Sequence, residues 1–231
     1  MSLRSIALLL LISGSVLVAG RSFAQIIDHT CIDINKIPQQ YLEKARKELR
    51  LSYGHSIHGG QIIQGMEALF KVNPILFNFS TDRSGIKSGV LSLWDNIPPG
   101  DLGNPNRTTW AEYTEKLLDG PGKDRNVVVW AWSGQVGNSS RKDIQTYLKL
   151  MGELEKKYPK VKFVYMTGHL DGTGEDGNLN KRNDQIREYC RKHQKLLFDF
   201  ADIESFSPGS DVNYMKSGGN DNCNYVVNGK K

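Results

Sequence analysis

The sequence predicts an α/β protein with a flavodoxin-like, doubly wound sheet of about five parallel strands and helices on both faces. Three observations predict it. Short apolar runs alternate with amphipathic helical patterns along most of the chain. One run, Val127-Val128-Val129-Trp130-Ala131-Trp132, is continuously apolar, as a parallel strand covered on both sides must be. Loops rich in Gly, Asn and Pro follow the strand ends, where an open parallel sheet binds its ligands.

Taken in order, an irregular start precedes Pro38, which opens a short helix with Tyr41 and Ala45 on one side, and Leu49 to Tyr53 forms the first strand. The turn Gly54-His55-Ser56-Ile57-His58-Gly59-Gly60 leads into a helix marked by Ile62, Ile63, Met66, Leu69 and Phe70. Gly89 to Asp95 is the second strand, and Asn96 to Arg107 a long loop ending where Thr109 and Glu112 match a capping box. Trp110, Tyr113, Leu117 and Leu118 mark the buried face of that helix, and Gly120-Pro121-Gly122 stops it before the third strand, the apolar run at Val127. Ser140 with Asp143 starts the next helix, whose core positions are Ile144, Tyr147, Leu148, Met151 and Leu154 and which Pro159 closes. Val161 to Thr167 is the fourth strand, Gly168 to Asn178 a polar loop, Asn180 to His193 a helix and Leu196 to Phe200 the fifth strand. A tail from about Ser205, rich in Gly, Ser and Asn, shows little periodicity.

Residues 1–24 read as a secretory signal peptide: Arg4, an apolar run from Ile6 to Val18, and the small-residue boundary Ser22-Phe23-Ala24. That run is shorter than the roughly 20 residues a membrane helix needs, so no membrane span is expected. The expectation is a chain exported to the periplasm or the medium, with residues 25–231 forming a single domain. The net charge of +5 is spread over basic residues interleaved with acids at Lys44 to Arg50 and Lys181 to Lys195. Such interleaving marks solvated helix faces and argues against nucleic acid as a partner. Three cysteines, Cys31, Cys190 and Cys223, in an oxidising compartment suggest one disulfide and one free thiol, with the pairing unreadable. None has the spacing of a structural zinc cluster.

The fold prediction selects the loops that matter. With strand order 2-1-3-4-5 the switch point falls between the first and third strands, where Ser56, His58 and Ser133 face one crevice. Of the five histidines, His55, His58 and His169 lie in strand-end loops, and His29 and His193 look peripheral. A serine on a strand-to-helix turn suits nucleophilic attack, because its hydroxyl projects into the crevice beside backbone N–H groups. That placement makes Ser56 the candidate nucleophile, with His169 as the base and Asp171 or another carboxylate orienting the imidazole. His55, His58, Gly59, Ser133, Gly134 and Asn138 are the candidate substrate-binding residues. Bland roles compete with these: Ser56 as a helix cap, His169 as a loop brace, Trp94, Trp130 and Trp132 as core, and Asp202 and Glu204 as scaffold.

Gly54-His55-Ser56 after the first strand resembles the Gly-Asp-Ser block of SGNH hydrolases, over roughly Leu49 to Glu204. The segments around Tyr53 to Gly59, Thr167 to Gly172 and Phe198 to Glu204 are also similar to secreted bacterial proteins. The resemblance implies a serine ester hydrolase needing no cofactor, with the nucleophile's role carried over to Ser56. His55 stands where that family has aspartate, Ser133-Gly134-Gln135-Val136-Gly137-Asn138 occupies the place of its Gly-x-Asn-Asp block, and no Asp-x-x-His precedes the last helix. His169 as base is therefore inferred from the fold. The leading expectation is an esterase or deacetylase acting on carbohydrate-linked or other small esters. Two alternatives stand beside it. In one, His55, His58, His169 and Asp171 bind a divalent metal that activates water; in the other, a non-catalytic crevice holds a glycan or small ligand. The oligomeric state is not legible.

Overall fold

The structure, a computed structural model, describes residues 24–207 and 211–222. Seven strands form one parallel sheet: β1 (Gln25–Ile27), β2 (Arg50–Gly54), β3 (Phe79–Ser80), β4 (Leu91–Asp95), β5 (Val127–Trp130), β6 (Lys162–Met166) and β7 (Leu196–Phe198). They are ordered β1-β7-β6-β5-β2-β4-β3. The inner five, β4-β2-β5-β6-β7, are the expected 2-1-3-4-5 arrangement. The two additional strands extend the edges, β1 beside β7 and β3 beside β4. They are three and two residues long, too short for any periodic signal, and β1 falls in the segment expected to be irregular.

The helices are α1 (Gln39–Glu48), α2 (Gly60–Val72), α3 (Thr109–Asp119), α4 (Arg141–Lys157), α5 (Asn178–His193) and α6 (Phe200–Ser205). Alternation along the strands decides which face each one covers. Leu51, Tyr53, Val127, Val129, Val164 and Phe198 pack with Leu42 of α1, Ile62 and Met66 of α2 and Ile203 of α6. Val128, Trp130, Phe163, Tyr165 and Leu197 pack with Trp110 of α3, Ile144 and Met151 of α4 and Ile186 of α5. Both faces are thus covered, which is why β5 tolerates no polar residue. On the second face the aromatic rings meet edge-on, and Trp130 Nε1 donates to Thr114 Oγ1 at 2.8 Å, so the indole is buried with its polar atom satisfied.

The capping box at Ser140 and Asp143 forms. The one expected at Thr109 and Glu112 does not: Asn106 Oδ1 instead accepts from the backbone N–H and hydroxyl of both Thr108 and Thr109. The fifth strand ends at Phe198, because Asp199 caps α6 by accepting from the Asp202 N–H. The expected disulfide is corrected in part. Cys31 and Cys190 are free thiols that pack on opposite faces of the sheet, and Cys223 lies outside the described residues. Apart from Ala24, so does the segment read as a signal peptide. No helix among the described residues is long and apolar enough to cross a membrane.

Candidate functional site

The loops after β2, β4, β5 and β6 converge at the switch point between β2 and β5. Gly54 ends β2 where a Cβ would meet the Trp130 ring at 2.4 Å, so glycine is what lets this loop leave close against β5. His55 then turns inward, 8% exposed, with Nδ1 2.8 Å from the Ser56 carbonyl and Nε2 2.6 Å from Asp95 Oδ1. Gly59 lets the turn close: a Cβ there would sit 2.3 Å from the His55 Cβ, and its carbonyl accepts the Tyr53 hydroxyl at 3.1 Å. Burial, reinforced by the Asp95 carboxylate, pushes the Tyr53 phenol well above its usual range, so Tyr53 serves as a neutral brace.

Ser56 is half-buried in the crevice, and its hydroxyl donates to Asp101 Oδ2 at 2.6 Å. Asp101 is 1% exposed. Its second oxygen accepts the Gly103 N–H at 2.7 Å, and Gln135 Nε2 reaches Oδ2 at 3.3 Å. The loop is pinned by the tight pairing of Asp101 with Asn104 and by the Leu102 N–H on the Ala131 carbonyl. Gln135 Oε1 in turn accepts the Ser133 N–H at 2.9 Å, so one amide side chain joins the Asp101 loop to the Ser133 loop.

His58 crosses the switch point. Its Nδ1 lies 3.2 Å from Ser133 Oγ and its Nε2 3.0 Å from Asp221 Oδ2. The His169 ring stacks on it, centroids 3.8 Å apart and planes 13° from parallel. Burial, and then the neighbouring His169, hold the His58 imidazole below its ordinary range, with the Asp221 and Asp101 carboxylates opposing them. Because a carboxylate only accepts, the neutral ring carries its proton on Nε2 toward Asp221 and offers a bare Nδ1 to the Ser133 hydroxyl.

His169 is held on the loop after β6 by three anchors. The Gly168 N–H donates to Asn183 Oδ1, the Leu170 N–H donates to Glu204 Oε2, and Gly168 packs against Val136 and Leu179 too closely for a Cβ. Its Nδ1 donates to the Leu170 carbonyl at 2.8 Å and lies 3.9 Å from Asp221 Oδ2. Its Nε2 is buried without a hydrogen-bond partner, facing Gly134. Gly134 takes the left-handed conformation, φ 85°, that turns the chain away after Ser133.

Among the expected residues, the structure brings together Ser56, His58, Ser133, Gly134 and His169. His55 and Gly59 shape the turn beneath them. Asp171 is exposed, and its carboxylate accepts from the Thr173 N–H and hydroxyl. Asn138 is exposed at the end of the short 3-10 turn Gln135–Asn138. Sequence reasoning missed Asp101, Gln135 and Asp221. Asp221 arrives on the tail: Asn220 bridges to Asp171, and the Asp221 N–H donates to the Leu170 carbonyl at 3.2 Å.

His29 lies elsewhere, its Nδ1 2.5 Å from Asp202 Oδ2 and its ring stacked on Phe206. That pair fastens the chain after β1 to α6, a scaffold role for Asp202. Glu204 has one as well, bracing the His169 loop. Chemically, the crevice holds two hydroxyls, a stacked imidazole pair and two carboxylates, an arrangement able to move a proton between a hydroxyl and a ring nitrogen. No family model, curated protein or solved structure matches the chain.

Proposed function

We propose that the chain is an exported hydrolase of carbohydrate-linked or other small esters, built on the SGNH plan, that uses a serine nucleophile and a histidine base. The observation that carries this reading is the Ser133–His58–Asp221 line, a hydroxyl at 3.2 Å and a carboxylate at 3.0 Å on the two nitrogens of one imidazole. In the serine hydrolase template Nε2 faces the hydroxyl and Nδ1 the carboxylate. Here the ring is turned the other way, with the same consequence: a bare nitrogen toward the serine and an N–H held by the acid. Ser133 Oγ attacks the acyl carbon, His58 takes its proton and returns it to the leaving alcohol, and water then releases the acid by the same route. Asp221 keeps the required tautomer.

Ser56 is the second reading for the nucleophile. What favours it is its position on the strand-to-helix turn at the switch point, with a hydroxyl already donating to a buried carboxylate. An active-site phosphonate followed by tryptic mapping separates the two, because Ser133 lies in the peptide Asn126 to Arg141 and Ser56 in Leu51 to Lys71. The expected result is a stoichiometric adduct on Ser133 and turnover of aryl acetates lost in Ser133→Ala. An adduct on Ser56 transfers the role to that residue. Turnover unaffected by either alanine variant overturns the serine mechanism, and no turnover in the unmodified chain overturns the hydrolase reading and leaves a ligand-binding crevice.

A further inference from the structure

We propose that His58, His169 and Asp221 form a binding site for one divalent cation of the zinc class, and that its occupation switches the ester-hydrolysing relay off. This rests on the hydrolase reading above and adds a regulator to the same crevice. The three side chains each offer a ligand atom, and these atoms all lie within 4.8 Å of one another. His58 Nε2 and His169 Nδ1 stand 3.0 and 3.9 Å from the same Asp221 oxygen. Tetrahedral zinc with bonds of about 2.0–2.2 Å sets its ligand atoms about 3.3–3.5 Å apart, so the two separations bracket the need. Two imidazoles and one carboxylate are the donor set of an open three-ligand zinc site, and they select zinc over calcium or magnesium, which prefer all-oxygen ligands.

Protonation decides the consequence for catalysis. To ligate, His58 must release the Nε2 proton that it donates to Asp221, and the neutral ring then carries its proton on Nδ1. That N–H faces Ser133 Oγ, whose oxygen accepts it and so becomes an outer partner fixing the ring. The hydroxyl has then lost its base, so a cation and a catalytic His58 exclude one another. His169 makes the same change, moving its proton from Nδ1 to Nε2. The Leu170 carbonyl it leaves still holds the Asp221 N–H.

A second cluster, Asp28, His29 and Asp202, has similar spacing. It offers a single imidazole, already bound to Asp202. It serves as the control.

The test uses the tag-free chain at pH 7.5, with zinc chloride titrated against a chromophoric chelator while aryl acetate turnover is followed in parallel. One zinc per chain is expected, weakened at least tenfold in both His169→Ala and Asp221→Asn and unchanged in His29→Ala, with each variant's melting curve checked for folding. Turnover should fall at least tenfold at saturation and return on adding chelator. Absence of binding, or binding lost in His29→Ala and retained in the other two, overturns the site. Turnover that rises with zinc overturns the off-switch and makes the cation a catalytic one. Turnover indifferent to zinc removes this inference and leaves the hydrolase standing. Zinc held by these three residues with no ester turnover removes the hydrolase reading and the switch, and keeps the site.

Discussion

Replacing Asp221 by Asn tests the relay through the exchange of a single heavy atom. The carboxylate oxygen 3.0 Å from His58 Nε2 only accepts, and so it keeps the proton on Nε2 and the lone pair on Nδ1. An amide NH2 in the same place donates to Nε2, which moves the ring proton to Nδ1 and turns an N–H toward Ser133. The base is then lost although its position is not. General-base catalysis contributes about 10²–10⁴-fold, so kcat/KM on an aryl acetate should fall by that factor, about 2.7–5.5 kcal/mol of transition-state stabilisation. The backbone bond from the Asp221 N–H to the Leu170 carbonyl is untouched, so the tail should stay in place and the melting temperature should barely move. Because serine, histidine and acid act as one unit, Asp221→Asn combined with Ser133→Ala should be no slower than Ser133→Ala alone. A fall of less than threefold in the single variant, or full additivity in the double, would refute the tautomer argument.

The pH–rate profile offers a second check. Catalysis needs neutral His58, which burial and then His169 hold low, so the acid limb of kcat/KM should lie below about 6.5. In His169→Ala the limb should move up, since the ring that covers His58 and opposes its charged form has gone; a wild-type limb above pH 7 would contradict this. Buried Asp199 receives Arg187 through Nε at 2.7 Å and Nη2 at 2.8 Å, so Asp199→Ala strands a buried guanidinium and should cost about 3–5 kcal/mol in urea unfolding. A loss under 1 kcal/mol would mean that water reaches the arginine. Gly54→Ala places a methyl 2.4 Å from the Trp130 ring and should destabilise by about 1–3 kcal/mol in the same assay, with turnover falling as the loop shifts.

The sheet was legible because its inner strands obey one physical rule: a strand covered on both faces carries an apolar run, and a helix on either side carries a 3.6-residue stripe. Val127 to Trp130 and the Ile144 to Leu154 stripe meet that rule and lie where it puts them. The edge strands β1 and β3 escape it, since two or three residues paired on one side need no pattern. The Thr109 cap failed for a different reason. Asn106 takes the Thr109 N–H that Glu112 would accept and the Thr109 hydroxyl as well, and a capping-box match says nothing about a rival acceptor three residues upstream.

The site divides along the same line. His58, Ser133 and His169 were legible because the topology rule points to loops at one sheet end, and three histidines in those loops exceed what solvated surface explains. Their pairing was not legible, because the partner acid comes from a stretch with no period at all. Asp221 sits in a Gly- and Asn-rich tail, where the Asn220–Asp171 bridge, its own N–H on the Leu170 carbonyl and Met215 packed on Leu170 and Ala201 place it without a periodic stripe of buried side chains. Asp171 was the nearer acid in sequence, yet a carboxylate two residues before a threonine is satisfied locally by that residue's N–H and hydroxyl, which turns it away from His169. The same logic separates the two serines. Ser56 meets the acid of its neighbouring loop, whereas Ser133 meets an imidazole that has crossed the switch point from β2. Position on the strand-to-helix turn therefore favoured Ser56, with His169 drawn from another strand end, and the crossing of the two loops favours Ser133 with His58.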